Sequence, residues 1–241
     1  MTELRYLPDA DDVTSFTARV TEATESSIVL DGTYFYPEGG GQPADRGELV
    51  WDGGRAAVTD VRKDHGDVRH EIDSLEGTLP DEGDEIDGRI DAERRDQLRR
   101  MHTAQHVVSR VVLDEYGGST AGNQIHPERS RIDFEPVSFD DDDLEYVETK
   151  ANEVIERDLP VTKADRPRAD VEREVDDGRS LLELIPDHVD PLRVVAIDDW
   201  DMCPCGGTHV DRLGDVGPIR ITDRTSKGAD IDRIEFELRD D

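Results

Sequence analysis

Two cysteines in 241 residues cannot build a disulfide framework. Cys203 and Cys205 are separated only by Pro204, too close for an easy bridge, so the chain reads as one for a reducing compartment. Lysine is nearly missing: Lys63, Lys150, Lys163 and Lys227 are the only four among 29 basic residues. Aromatic residues make up 5% and hydrophobic residues 34% of the chain. No run approaches the ~18 apolar residues of a helical membrane span. The stretch Met1 to Tyr6 has neither a basic n-region nor an apolar h-region. The expected setting is therefore cytoplasmic, with neither membrane nor DNA as partner.

What the chain has in excess is acid. Sixty Asp and Glu residues give a formal charge of −31. Such a balance can mark disorder, but apolar segments with helical or strand spacing and clear caps recur along most of the length. An acidic, lysine-poor surface instead fits concentrated salt, where the Debye length shrinks to about 3 Å at 1 M and self-repulsion is screened. A halophilic source is expected, with a melting temperature that rises from dilute buffer to molar KCl; a flat response would contradict it.

The first 90 residues read as β-rich. Short runs at Phe16–Val20, Ser27–Leu30, Glu48–Trp51, Ala56–Val61, Val68–Ile72 and Glu85–Ile90 recur at spacings that suit a small barrel or sandwich. Asp52-Gly53-Gly54 is a hairpin turn between two of them. Among them sits Phe35-Tyr36-Pro37-Glu38-Gly39-Gly40-Gly41-Gln42. Its glycines permit positive φ and close backbone approach, either as a wide turn or as a ligand loop. It is not a P-loop, because no Gly-Lys-Ser/Thr follows.

From residue 91 the pattern changes. Asp91 reads as the N-cap of a helix over Ala92 to about Glu115, ended by Gly117. Leu98, Met101, Val108 and Val112 make its apolar stripe, with His102 and His106 on the border, packed on one side and facing a cleft on the other. Arg94, Arg95, Arg99 and Arg100 form a basic patch, satisfied by i,i+4 acids or aimed at a phosphate. Ser130–Glu135 reads as a strand, Asp140–Asp143 caps a second helix ended by Pro160, and Val161–Asp165 resumes extended chain. A short helix is possible between Arg166 and Gly178, and Leu181–Ile185 is apolar. Leu192–Ile197 is the strongest buried-strand signal. Ile219–Ile221 and Ile231–Leu238 close the chain. The fold class expected is α+β: a barrel over residues 1–90, then an α/β domain over 91–241 with a mostly antiparallel sheet.

Two fragments carry the chemistry. His102-Thr103-Ala104-Gln105-His106 places imidazoles at i and i+4, one above the other on a helix. Cys205-Gly206-Gly207-Thr208-His209 adds a thiolate and a third imidazole. Nitrogen and sulfur donors of this kind suit tetrahedral Zn²⁺. Four protein ligands favour a structural ion; ligands from distant segments, with a glycine pair beside them, favour an open, catalytic one. Thr103 stands where a His-Glu-x-x-His protease keeps its glutamate, which argues against that class. Cys203 is a rival thiolate or a buried strand-end residue. His65, His70, His126 and His188 lack partners at ligand spacing and read as surface residues.

The glycine-rich motif, His102–His106 and Cys205-Gly206-Gly207-Thr208-His209-Val210 together resemble, in order and spacing, the editing module of alanyl-tRNA synthetases. They resemble most its free-standing AlaX-type relatives of medium length. The likeness runs from about Phe16 to Phe236. It implies a zinc-dependent deacylase that hydrolyses Ser-tRNA(Ala) or Gly-tRNA(Ala), acting on the acceptor end of tRNA(Ala). It implies His102, His106, Cys205 and His209 as the metal ligands and a zinc-associated water in place of a catalytic side chain. Thr120, Gln124, Gly39, Gly40, Gly41 and Gln42 fall where such proteins contact substrate. Asp211, Leu213 and Asp232 depart from the family pattern, which often has basic or small polar residues there. The alternatives are a zinc-stabilised RNA-binding protein without catalysis, a small-ester hydrolase, or editing of Ser-tRNA(Thr), whose module shares the His and Cys plan. The task has a physical basis: a pocket shaped for alanine cannot sterically exclude glycine, and rejects an added hydroxyl by only ~10².

Overall fold

A computed structural model describes residues 1–176, 178–179, 182 and 185–239. The chain divides into two compact units, Met1–Asp96 and Gln97–Asp241.

In the first unit, β1 (Glu3–Leu4) pairs in parallel with β4 (Gly32–Thr33). Six further strands close a barrel: β2 (Ser15–Ala23), β3 (Ser27–Leu30), β5 (Gly47–Trp51), β6 (Gly54–Asp64), β7 (Asp67–Gly77) and β8 (Glu85–Ile90). Their order is β2-β3-β7-β6-β5-β8, every pair is antiparallel, and β2 meets β8 to leave no open edge. Apolar side chains from the strands fill it. Val20, Ile28, Leu30, Leu49, Val58, Ile72 and Ile86 point inward from successive strands. The inward position between Ile86 and Ile90 on β8 takes a glycine, Gly88, because a Cβ there would stand 2.5 Å from the Phe16 ring.

His70 on β7 is not a surface residue: it is fully buried. Its Nδ1 donates to the Ile28 carbonyl oxygen at 3.0 Å and its Nε2 lies 2.8 Å from the Thr33 hydroxyl. Period-2 spacing in β7 puts it on the same face as Val68 and Ile72, which spacing to other histidines could not reveal. Burial holds its pKa down to about 4. The unfolded chain takes up this proton near 6.5, the folded chain only near 4. The stabilisation is therefore complete above the unfolded value and declines as pH falls through the window, by roughly 3 kcal/mol in all. Urea unfolding between pH 7 and 4.5 should show a shallower pH slope for His70→Gln than for wild type; equal slopes would contradict this.

Helix α1 (Ala92–Tyr116) starts where the Asp91 carboxylate accepts the Arg94 N–H at 3.1 Å, and ends at Gly117, whose φ is 69°. The four arginines form no basic patch. Arg95 is buried, with its guanidinium on both Asp45 oxygens and on the Asp11 and Tyr34 carbonyls, each at 2.7 Å. Arg94 donates to the Ala44 carbonyl at 3.2 Å. Arg99 and Arg100 donate to the His209 and Val216 carbonyls at 2.8 and 3.0 Å. None of the four makes an i,i+4 ion pair among the described residues. Sequence spacing reports neighbours along a helix, and these partners are remote in the chain.

The second unit contains β9 (Ser119–Gln124), β10 (Ser130–Glu135), α2 (Asp141–Glu156), β11 (Val161–Arg166), α3 (Arg168–Glu174), β12 (Leu192–Ile197), β13 (Asp201–Pro204), β14 (Ile219–Gly228) and β15 (Ile231–Leu238). Two antiparallel sheets form, in the orders β14-β15-β10-β9 and β11-β12-β13. Asp140 starts α2 with a full capping box to Asp143. Leu98, Met101 and Val108 of α1, Ile132 and Phe134 of β10, Val147 and Ile155 of α2, and Ile234 and Phe236 of β15 share one core. Strand β12 is covered on both faces: Val195 and Ile197 join this core, while Leu192 and Val194 pack against Val171 of α3. That is why it reads as a continuous apolar run despite being antiparallel. The apolar stretch Leu181–Ile185 lies partly outside the described residues.

Candidate metal centre

Helix α1 delivers His102, Thr103 and His106; the loop after β13 delivers Cys205 and His209. Residues about a hundred positions apart thereby meet. One potential ligand atom from each of His102, His106, Cys205 and His209 lies within 4.8 Å of the other three. The Cys205 Sγ is 3.5 Å from His102 Nε2 and 3.3 Å from His209 Nε2. A tetrahedron with metal–donor bonds of ~2.0–2.3 Å has edges of about 3.3–3.8 Å, so these separations fit. His106 Nδ1 is buried without a hydrogen-bond partner, a further sign of a group that ligation would satisfy. The four side chains can hold a metal ion.

The site differs from the open cleft expected of residues bordering a stripe. His102, His106 and His209 are 1%, 3% and 0% exposed. From Met101 to Ser109 the helix is buried all round: Cys205 and His209 lie against His102 and Thr103, Arg179 against His106, and Thr120 of β9 against Ser109. Burial pushes all three imidazoles well below their ordinary pKa. His106 and Arg193 add to this at His102, Arg179 and Arg193 at His106, and His102, His106, Arg193 and Lys163 at His209. Neutral imidazole is the ligating form.

Thr103 has a defined task. Its hydroxyl donates to the Arg99 carbonyl at 2.9 Å, so its oxygen can only accept from His209 Nδ1, 3.1 Å away, and from Val210 N–H. His209 therefore carries its proton on Nδ1 and turns the Nε2 lone pair toward Cys205. Metal-ligating histidines are oriented this way by the partner of their second nitrogen.

Three cations were not singled out by sequence reasoning. Arg193 donates from Nη1 to the Cys205 and Gly207 carbonyls at 2.7 and 2.8 Å. Arg179 pairs with buried Asp201 and reaches the His106 carbonyl at 3.4 Å. Lys163 approaches the His209 carbonyl at 3.5 Å and pairs with Asp211 at 2.6 Å. Basic residues scattered through an arginine-rich chain give no local signal; only the fold groups them. Cys203 stays apart on β13, its Sγ on the Arg179 carbonyl and its pKa pushed up to about 12 by burial.

Thr120 donates to Ser109 Oγ at 3.0 Å, and Ser109 in turn accepts from Gln105 at 2.9 Å, tying β9 to the helix that carries the histidines. A bulge sets the rest of β9. Thr120 faces Phe134, yet Gly122 faces Asp133, with Ala121 unpaired. Asn123, opposite Ile132, thus shares the face of Thr120, while Gln124, opposite Arg131, turns to the other face. A strand of Ser-Thr-Ala-Gly-Asn-Gln has no alternation from which to read either fact. Gly39, Gly40, Gly41 and Gln42 lie in the barrel unit, where Gly39 and Gln42 exchange backbone hydrogen bonds and Gly40 and Gly41 take φ of 57° and 83°. Of the family departures, Asp211 ion-pairs with Lys163 and Arg99, Leu213 is buried in the core, and Asp232 is buried and accepts from Phe139 N–H and Arg224.

Comparisons with known proteins identify relatives of the chain. The family model described as tRNA synthetases class II (A) matches residues 9–94, and the one described as Threonyl and Alanyl tRNA synthetase second additional domain matches residues 192–235. The alanyl-tRNA editing protein AlaX-M of Methanosarcina acetivorans is 37% identical over 246 residues, covering 100% of both chains. That of Methanosarcina barkeri is 37% identical over 245 residues, again covering 100% of both. The alanine–tRNA ligase of Methanopyrus kandleri is 40% identical over 98% of this chain, which spans only 26% of that ligase.

Proposed function

The chain belongs to the AlaX-M family of alanyl-tRNA editing proteins, and on that premise we propose that it hydrolyses the ester joining serine or glycine to tRNA(Ala), at a zinc ion held by His102, His106, Cys205 and His209. The observation that carries this reading is the convergence of those four donors within 4.8 Å from segments a hundred residues apart. When bound, the ion would polarise the ester carbonyl or lower the pKa of a water beside it. The protein's own residues do the rest. Thr103 fixes the His209 tautomer, and buried neutral imidazoles remain competent as ligands at physiological pH. Gly206 leaves room on the loop, since a Cβ there would meet no atom within 4 Å.

In this reading residues 91–241 form the deacylase domain, and residues 1–90 bring the loop Gly39–Gln42 as a contact for the acceptor end. Thr120, held through Ser109, reads the serine hydroxyl together with Asn123 on the same face. Gln124, on the opposite face, contacts the RNA instead. A hydroxyl-reading site needs such fixed polar partners, because shape alone separates serine from alanine poorly.

Four protein ligands, three of them buried imidazoles, favour a second reading, a zinc-stabilised RNA-binding protein without catalysis. Release of serine from Ser-tRNA(Ala), with and without a chelator, separates the two. Turnover that is lost on chelation and restored by Zn²⁺ is expected. Tight tRNA binding with no turnover would overturn the hydrolytic assignment.

A further inference from the structure

Strand β12 outlasts its partner at the metal centre. The ladder to β13 ends at Val194–Pro204, with one more rung from Cys205 N–H to the Arg193 carbonyl at 3.1 Å. Beyond that rung the chain leaves the sheet as Cys205-Gly206-Gly207. Two glycines supply no side chains to pack, and the space where a Gly206 Cβ would stand is open. Yet this segment must hold a ligand sulfur in place.

The Arg193 side chain, almost wholly buried, closes the gap. Its Nη1 has two hydrogens, and both are used: one on the Cys205 carbonyl at 2.7 Å and one on the Gly207 carbonyl at 2.8 Å. The carbonyls flanking Gly206 are thereby pinned to one nitrogen. Between them, the Gly207 N–H points back to the Cys205 Sγ at 3.4 Å. The N–H and the carbonyl of Gly207 belong to successive peptide units, so the sulfur holds one plane and the guanidinium the next. The Arg193 main chain thus holds Cys205, and its side chain holds Cys205 and Gly207 on either side of Gly206.

We propose that Arg193 is a positioning residue for the metal centre: it fixes the Cys205–Gly207 loop so that the Cys205 sulfur is presented to the ion in one geometry. The inference rests on the metal-centre reading above and adds a residue outside the ligand set. The demand is for arginine in particular. A lysine keeps the charge as a single rotating head on a flexible stem and lacks the planar guanidinium. An apolar residue of similar length leaves two carbonyls without their donor.

The test is metal binding to the full-length chain, which requires no turnover. Wild type, Arg193→Met and Arg193→Lys are loaded with Co²⁺ and with Zn²⁺ against a competing chelator. Arg193→Met should bind Zn²⁺ about 10–100-fold more weakly, the usual scale for losing a group that orients a ligand. Its sulfur-to-cobalt charge-transfer band should weaken and broaden as the thiolate loses its fixed position. Arg193→Lys should fall between the two. Melting of the metal-free and loaded forms guards against a merely structural effect: positioning predicts a smaller metal-induced rise in Tm, whereas a general packing role lowers both forms alike. Wild-type affinity and an unchanged cobalt band in Arg193→Met would overturn the proposal and leave the metal centre standing. A wild-type chain that takes up neither ion would overturn both.

Discussion

His102→Ala should lower deacylation of Ser-tRNA(Ala) by roughly a thousandfold or more, and weaken Zn²⁺ binding with it. His102 Nε2 stands 3.5 Å from the Cys205 sulfur, and the His102 ring centroid is 4.4 Å from that of His209. Removing the imidazole takes out one donor of the cluster, and no further His, Cys, Asp or Glu among the described residues joins the group to replace it. Thr103→Val provides the graded comparison. It keeps all four donors and removes the acceptor that sets the His209 tautomer, at 3.1 Å, together with the acceptor of the Val210 N–H. Its expected cost is about 10–100-fold in metal affinity, well short of His102→Ala in turnover. Single-turnover release of serine, with metal content measured on the same samples, checks both. Wild-type turnover in His102→Ala would remove the metal from the chemistry altogether, whatever its role in stability.

The second large effect concerns the barrel unit. Arg95→Met should destabilise it by about 3–5 kcal/mol, the scale for leaving one partner of a buried ion pair uncompensated. Both side chains are essentially sealed, at 1% and 0% exposure. Arg95 also donates to the Asp11 and Tyr34 carbonyls, and Asp45 accepts the Tyr36 N–H at 2.6 Å. The pair therefore holds both ends of the segment that carries the glycine-rich loop. Arg95→Met with Asp45→Leu should recover part of the loss, since no charge is left buried, but not all of it, because the Tyr36 N–H stays orphaned. Urea unfolding of the two variants and of Asp45→Leu completes a double-mutant cycle. A loss below about 1 kcal/mol for Arg95→Met would refute the argument.

Much was legible before any coordinates. The six barrel strands follow from short β-prone runs recurring between turns, and both caps of α1 from Asp91 and Gly117. Cys205, His102, His106 and His209 stood out because they are scarce residue types at ligand spacing. Three misreadings share one cause. His70 looked like a surface residue, Arg95 like part of a basic patch, and the ligand helix like one with an open border. In each case the decisive neighbour is distant in the chain: Thr33 for His70, Asp45 for Arg95, the Cys205–Val210 loop for the helix.

What the sequence determined alone is whatever depends on separations of a few residues: which segments are strands or helices, where they stop, and which donors share a helix face. Backbone geometry repeats every two or 3.6 residues, so local pattern carries that information. Only the tertiary structure decided that four donors meet, that Thr103 sets a tautomer, that a bulge at Ala121 turns Asn123 inward and Gln124 outward, and that Arg193 holds the loop. These depend on side-chain directions across segments as much as a hundred residues apart, and packing alone fixes those directions.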